Sequence, residues 1–216
     1  MARRSKARSG KTATTAASSG TQRDRILDAT LALAEREGWR KASLGAIAQE
    51  AGVPLHEFYG EFRSRAAILG ALMARTDAAV LAGTTTGGND DSPRDRLFDV
   101  LMRRFDALKP HRAALKAIAR DLGGDPPTAL CSAPAFLRSM AWMLEAAGLS
   151  SAGIRGRLRV RVLAMLYLCV LRAFVGDDSE DLAKTMAALD RRLRQAEPWL
   201  GLGSFRWGAR EQKQSA

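Results

Sequence analysis

Two cysteines and two histidines in 216 residues leave little material for metal or redox chemistry. Cys131 and Cys169 lie far apart with no CxxC pair, so neither a disulfide framework nor a zinc site is indicated, and both read as buried thiols. His56 and His111 assemble no histidine-centred triad or metal cluster at a recognisable spacing. A glycine-rich phosphate loop after a strand is also missing. No catalytic residue, metal or cofactor is therefore assigned, and an enzyme is the least supported class. Long apolar runs are absent too. The stretch from Val162 to Val175 is interrupted by Arg172 and falls short of the ~20 residues a bilayer requires, which predicts a buried helix. Near the N-terminus there is no hydrophobic run of the secretory kind, so a cytoplasmic location is expected. The same segment is basic, hydroxyl-rich and free of acids, a composition that also suits an organelle transit peptide, although no amphipathic helix is evident in it.

What is present is enough apolar content, 46%, to bury a real core in one domain or two small ones. The net charge of +11 is unevenly spread. Residues 1–20 carry Arg3, Arg4, Lys6, Arg8 and Lys11 without an acid, which reads as a disordered basic arm. Such an arm can lie along phosphates or in a minor groove, or serve only as a solubilising leader. Residues 41–65, by contrast, set Lys41, Arg63 and Arg65 against Glu50, Glu57 and Glu61 and are neutral.

That neutral stretch carries the clearest pattern. Ser43 is placed to N-cap a short helix with Leu44, Ile47 and Ala48 on one face, Ala51-Gly52 ends it, and Pro54 fits the first turn of a second helix. The second helix arranges Leu55, His56, Glu57, Tyr59, Gly60 and Glu61 around Phe58 and Phe62, both expected to be buried. The layout is a helix-turn-helix. The pattern Ile47-Ala48-x-x-Ala51-Gly52-Val53, then Phe58-Tyr59-x-x-Phe62-x-Ser64-Arg65 and Ile68-Leu69, behind an amphipathic helix from Arg25 to Glu37, resembles the N-terminal domain of the TetR family of bacterial transcriptional regulators.

The resemblance implies an all-α fold, with a three-helix DNA-binding domain followed by a helical ligand-binding and dimerisation domain. It implies double-stranded DNA as partner, a small apolar ligand, and a ligand-responsive regulator, typically a repressor. The DNA-facing set it implies is Ser43, Leu55, His56, Glu57, Tyr59, Arg63 and Arg65. Tyr59 and Arg65 suit phosphate contacts, which position without reading sequence. Tyr59 also suits a ring closing the small core, and Arg65 a solvated first-turn cation. Three positions depart from the family: Glu57 where a small polar residue is usual, Gly60 in place of an aromatic, and Glu61 where histidine is frequent. Acids repel phosphates, which supply most non-specific affinity. Glu57 can instead accept a hydrogen bond from a cytosine amino group.

Beyond the reader the signals are helical. Helices are expected over 64–82, after Ser92-Pro93, from Pro110 to Leu122, through FLRSMAWMLEAAG with Gly148 as C-cap, over 151–175, and behind Ser179, where Leu182, Met186, Leu189 and Leu193 repeat. The expected division is a basic arm at 1–20, a DNA-binding domain at 21–68, a regulatory and dimerisation domain at 69–200, and a tail at 201–216. By the same resemblance the last two long helices form a homodimer; the simpler reading is that they close the monomer's own core. Phe105, Phe136, Met140, Trp142, Met143, Met165 and Tyr167 suit the lining of an apolar ligand pocket, or an ordinary core.

A second resemblance covers Leu163 to Trp199. Gly176-Asp177-Asp178-Ser179, then Thr185 to Leu193, look like the C-terminal part of the lipid-binding accessory proteins of ubiquinone biosynthesis, which share the fold but bind no operator. Gly38-Trp39 and the acidic second helix also fit that group. It implies the alternative function, a lipid- or isoprenoid-binding, membrane-associated accessory protein. The tail WLGLGSFRWGAR, with Trp199, Leu200, Leu202, Phe205 and Trp207 beside Arg206 and Arg210, suits a membrane surface or packing back onto the core.

Overall fold

The computed structural model describes residues 10–83 and 91–202, with side chains from residue 22 onward in the first segment. Nine α-helices and one short 3-10 turn, Lys109–His111, order these residues, and no strand occurs among them. The fold is all-α, as the periodicities require. The chain divides into two compact units: Met1–Leu72 with His111–Ala133, and Met73–Pro110 with Pro134–Ala216.

The first unit is built on α1 (Gly10–Glu37), α2 (Leu44–Glu50) and α3 (Leu55–Glu61), with the beginning of α4 (Arg65–Ala82), α6 (Arg112–Leu122) and the beginning of α7 (Pro126–Ala146). Its core joins Ile26, Leu27, Leu31 and Ala34 of α1 to Ile47, Phe58, Phe62 and Ile68, and takes Ala114 and Ile118 from α6. α1 starts at Gly10, upstream of Arg25 where apolar periodicity sets in. Residues 1–9 of the basic arm lie outside the described residues.

The second unit contains the rest of α4 and α7 together with α5 (Pro93–Leu108), α8 (Gly153–Phe174) and α9 (Ala183–Leu200). Ser92 caps α5 by accepting from the Asp95 amide at 3.2 Å, with Pro93 at the first helical position. Gly148, at φ +73°, closes α7 as expected: the Leu149 amide donates back to the Leu144 carbonyl at 2.9 Å. That helix begins earlier than the sequence suggests and carries Pro134 within it. Phe105 stacks on Tyr167 at 5.1 Å and tilts against Phe174 at 5.1 Å, forming the aromatic centre of this core.

The turn between α8 and α9 is held by one carboxylate. Asp177, fully buried, accepts at Oδ2 from the Thr185 amide at 2.8 Å and its hydroxyl at 2.7 Å, and at Oδ1 from the Ser179 amide at 3.2 Å and its hydroxyl. Burial pushes its pKa up, but the hydrogen bonds from Ser179 and Thr185 outweigh this and hold it well below the usual carboxylate range. The Ser179 hydroxyl in turn accepts from the Ala183 amide at 3.1 Å, so the expected cap acts from three residues ahead of Leu182, the N-cap of the helix. Leu182 adopts φ +55°, a left-handed conformation that a branched side chain tolerates only where its surroundings fix it. Its burial at 1% exposed and the Asp177 lock beside it supply that constraint.

Two expectations are corrected here. Val162 to Val175 is not buried throughout: Met165, Leu168, Cys169 and Arg172 point to solvent, because an α-helix packed on one side leaves the opposite stripe uncovered. Cys131 and Cys169 are both exposed, each lying on the outward face of its helix. Leu200 and Leu202 are buried, in keeping with the alternative that the start of the tail packs back onto the protein. Trp199 is exposed, and Phe205, Arg206, Trp207 and Arg210 lie outside the described residues. Among the described residues no helix is long and apolar enough to cross a membrane.

Candidate nucleic-acid interface

The helix-turn-helix is set by local chemistry. Ser43, at φ −70° and ψ 158°, accepts from the Ala46 amide at 3.2 Å and satisfies a donor that α2 leaves open. At the other end Gly52 takes φ +62°, and the Val53 amide donates to the Ala48 carbonyl at 3.0 Å, the left-handed cap that glycine permits. Pro54 then stands as N-cap of α3 without a side-chain cap. Ser64 repeats the Ser43 device for α4, accepting from the Ala67 amide at 3.1 Å.

On α3, Phe58 and the following Phe62 are buried with ring centroids 6.2 Å apart, which fixes the helix on the core and decides its outer face. That face presents Leu55, His56, Glu57, Tyr59 and Gly60 to solvent. Leu55 is 64% and Tyr59 62% exposed, so both side chains stand clear of the core. A side chain at Gly60 would meet only open space, so no packing demand explains the glycine. Arg63 covers the Tyr59 ring, its guanidinium carbon 5.4 Å from the centroid. Tyr59 therefore closes no core; it projects outward.

The acids that make residues 41–65 neutral are treated unequally. Glu50 receives Arg36 of α1 in a two-pronged pair at 3.0 and 2.8 Å, and the hydrogen bonds from Arg36 hold its carboxyl below the ordinary range. Glu61 receives Arg23, also of α1, at 3.2 Å, and the same guanidinium lies 4.6 Å over the Phe62 ring. Glu57 has the His56 imidazole nitrogen at 3.9 Å.

Arg65, expected at a phosphate, is placed differently. Its guanidinium donates to the Trp39 carbonyl, lies 4.2 Å over the Trp39 ring, and pairs with Asp125 at 3.5 Å. Trp39 is fully buried, and nearby the Arg40 amide donates to Asp121 at 3.2 Å. Gly38 makes room for this: it has φ +87°, and a Cβ there would sit 3.1 Å from the Asp121 carboxylate. Arg65 thus ties the loop after α1 to the entry of α7. Sequence spacing gave no sign of that role, because its partners Trp39 and Asp125 come from distant segments.

The seven pocket residues are partly brought together. Phe105, Met140, Met143 and Tyr167 are all buried in the second unit, with half-buried Phe136 at 5.9 Å from Tyr167. Trp142 and Met165 are 53% and 66% exposed and face solvent. Beside the buried residues stands a convergent polar group: Arg104 of α5 pairs with Asp77 of α4 and donates to the Tyr167 hydroxyl of α8 at 3.1 Å, while Ser139 of α7 donates to Asp77 at 2.7 Å. Burial raises the Tyr167 pKa against the opposing pull of Arg104. For Arg104 burial disfavours the charge, but Tyr167 and Asp77 overcome it and keep it firmly protonated. The one signal available in sequence was a charged residue on the apolar side of α4 and of α5. A separate open groove of about 460 Å³ runs between Arg94, Phe98, Met186 and Asp190. Its Asp190 is already paired with Arg94 and Arg194. Among the described residues no group of acids, histidines or cysteines is arranged to hold a metal ion.

The described residues define an all-helical protein in which a capped helix-turn-helix presents its second helix to solvent, the architecture of a DNA-binding regulator. Residues 26–72 match the family model of bacterial regulatory proteins of the tetR family. A TetR transcriptional regulator from Nitrosomonas europaea ATCC 19718 is 26% identical in sequence, with a TM-score of 0.64 over 82% of this chain and 98% of that one. A TetR transcriptional regulator from Rhodococcus sp. RHA1 shares the fold at 20% identity, with a TM-score of 0.57 over 82% of this chain and 96% of that one. A search of curated proteins gives no significant match. Residues 26–72 thus match the N-terminal domain of the tetR family, and the chain as a whole shares the fold of TetR transcriptional regulators.

Proposed function

We propose that this protein is a dimeric transcriptional repressor that binds double-stranded DNA through α3 and is released by a small, largely apolar ligand. The observation that carries the reading is the outer face of α3: Leu55, His56, Glu57 and Tyr59 project from a helix whose opposite face is buried, while arginines of α1 pair with Glu50 and Glu61. Tyr59 and Arg63 suit phosphate contacts, and Glu57 suits the cytosine amino group, while Ser43 and Arg65 position the helices. For dimerisation, Ile154, Leu158, Met165 and Leu168 form an exposed apolar stripe along α8 at helical spacing, of the kind that needs a partner. The buried Asp77, Arg104, Ser139 and Tyr167 group offers polar anchors beside apolar Phe105, Met140 and Met143.

The lipid-binding alternative draws on the segment from Gly176 to Leu193. Asp177, Ser179 and Thr185 of that segment lock the α8–α9 turn, which accounts for them without a ligand. Titration of the protein against its own upstream promoter duplex and a scrambled duplex, at two salt concentrations, tests the proposal. Promoter binding well above the scrambled control is expected; equal, salt-labile binding removes the operator reading. Light scattering at micromolar concentration should return a dimer mass, and a monomer mass refutes the assigned role of α8.

A further inference from the structure

Arg23 was not singled out by any motif, yet it meets α3 at two points. Its Nη1 lies 3.2 Å from Glu61 Oε2, and its guanidinium carbon lies 4.6 Å over the Phe62 ring. Glu61 is the last residue of α3, and no basic residue sits in that last turn, so the carboxylate adds to the negative end of the helix dipole. Left alone, it would repel the phosphates that flank a bound α3. The pair hides it instead: the Arg23 side chain is 46% exposed and that of Glu61 only 21%, so the surface offered outward is the guanidinium. Arg36 treats Glu50 of α2 the same way, with 54% against 32% exposed.

We propose that Arg23 is a positioning residue for DNA binding, whose guanidinium masks the Glu61 carboxylate at the end of the recognition helix and seats that end on Phe62. This rests on the DNA-binding reading above and adds to it the residue that makes an acid-bearing reader compatible with phosphates. Two roles must be separated, since an arginine here can mask an acid or can itself touch a phosphate. Masking works through Glu61, whereas a phosphate contact does not.

The test is a double-substitution cycle on the full chain, read as binding to the promoter duplex and a scrambled duplex at two salt concentrations. Arg23→Met keeps the aliphatic stem over Phe62 and removes the charge. It should weaken binding to both duplexes about fivefold, the factor set by two like unit charges about 4 Å apart in water. Adding Glu61→Gln to that variant should restore affinity to within about twofold of the parent, the coupling expected when one residue acts through the other. Arg23→Lys, which keeps the charge, should retain most of the binding. If Arg23→Met binds as the parent does, the proposal falls. If the double variant stays as weak as Arg23→Met, Arg23 contacts phosphate directly and masking is overturned. A parent that binds neither duplex removes the DNA-binding reading and this inference with it.

Discussion

The two units of this chain dispose of charge in opposite ways. In the helix-turn-helix unit, Glu50 and Glu61 stay at the surface and are met by Arg36 and Arg23 from α1. In the second unit, Arg104 and Asp77 are taken inside, with the Arg104 side chain 3% exposed, and are satisfied by Tyr167 and Ser139. Surface pairs in water contribute little to stability, so the first arrangement is best understood through the partner that approaches it. An interior pair makes a demand on stability whenever one member is lost, because the survivor keeps its charge without solvent. The contrast shows where each unit can change cheaply: the reader in its charges, the helical body in its apolar periphery.

The sharpest way to break the comparison is at the interior pair. Asp77→Ala should cost roughly 3–5 kcal/mol in urea unfolding, since Arg104 would be left charged and buried. Replacing both by apolar residues of similar volume should recover much of that loss. If Asp77→Ala unfolds with the parent's midpoint, the second unit handles charge as the first does. Asp177 comes next. Asp177→Ala forfeits four hydrogen bonds to Ser179 and Thr185 and should cost about 2–3 kcal/mol. Because its folded-state pKa is lowered, the contribution is complete above the unfolded value of about 4 and fades as pH falls below it. Urea midpoints of Asp177→Asn should therefore lose part of the parent's acid sensitivity between pH 4 and pH 2.

Smaller effects belong to the reader. Ser43→Ala removes the cap of α2 and should destabilise by about 1 kcal/mol, visible as a lower urea midpoint. Arg63→Ala should barely change the midpoint but should reduce the salt slope of DNA binding by about 1 if Arg63 neutralises a phosphate. An unchanged slope would leave Arg63 as a cover for Tyr59 only. This last pair of results sharpens the comparison most, because it separates a residue that holds the fold from one that meets a partner.

How much was legible in the sequence follows from how local each feature is. Ser43, Gly52 and Gly148 act on backbone groups within a few residues, so caps and turns could be read directly. Phe58 and Phe62 fell inside because helical spacing gives α3 one buried face. Arg65 was another matter: its position suited either a phosphate contact or a solvated first-turn cation, whereas Trp39 and Asp125 engage its guanidinium. Val162 to Val175 read as buried because apolar content says how many residues can be covered, not which side will be. Cys169, Met165 and Leu168 show the difference.

The sequence by itself determined an all-helical chain, the position of the helix-turn-helix and the residues that α3 turns outward, since each depends on periodicity and capping within a single element. Only the tertiary structure decided that α6 packs on α1, that arginines of α1 cover acids of α2 and α3, and that Asp77, Arg104, Ser139 and Tyr167 meet in one place. Those outcomes join residues far apart in the chain. Their partners are selected by the packing of whole helices, a choice that no local pattern of side chains contains.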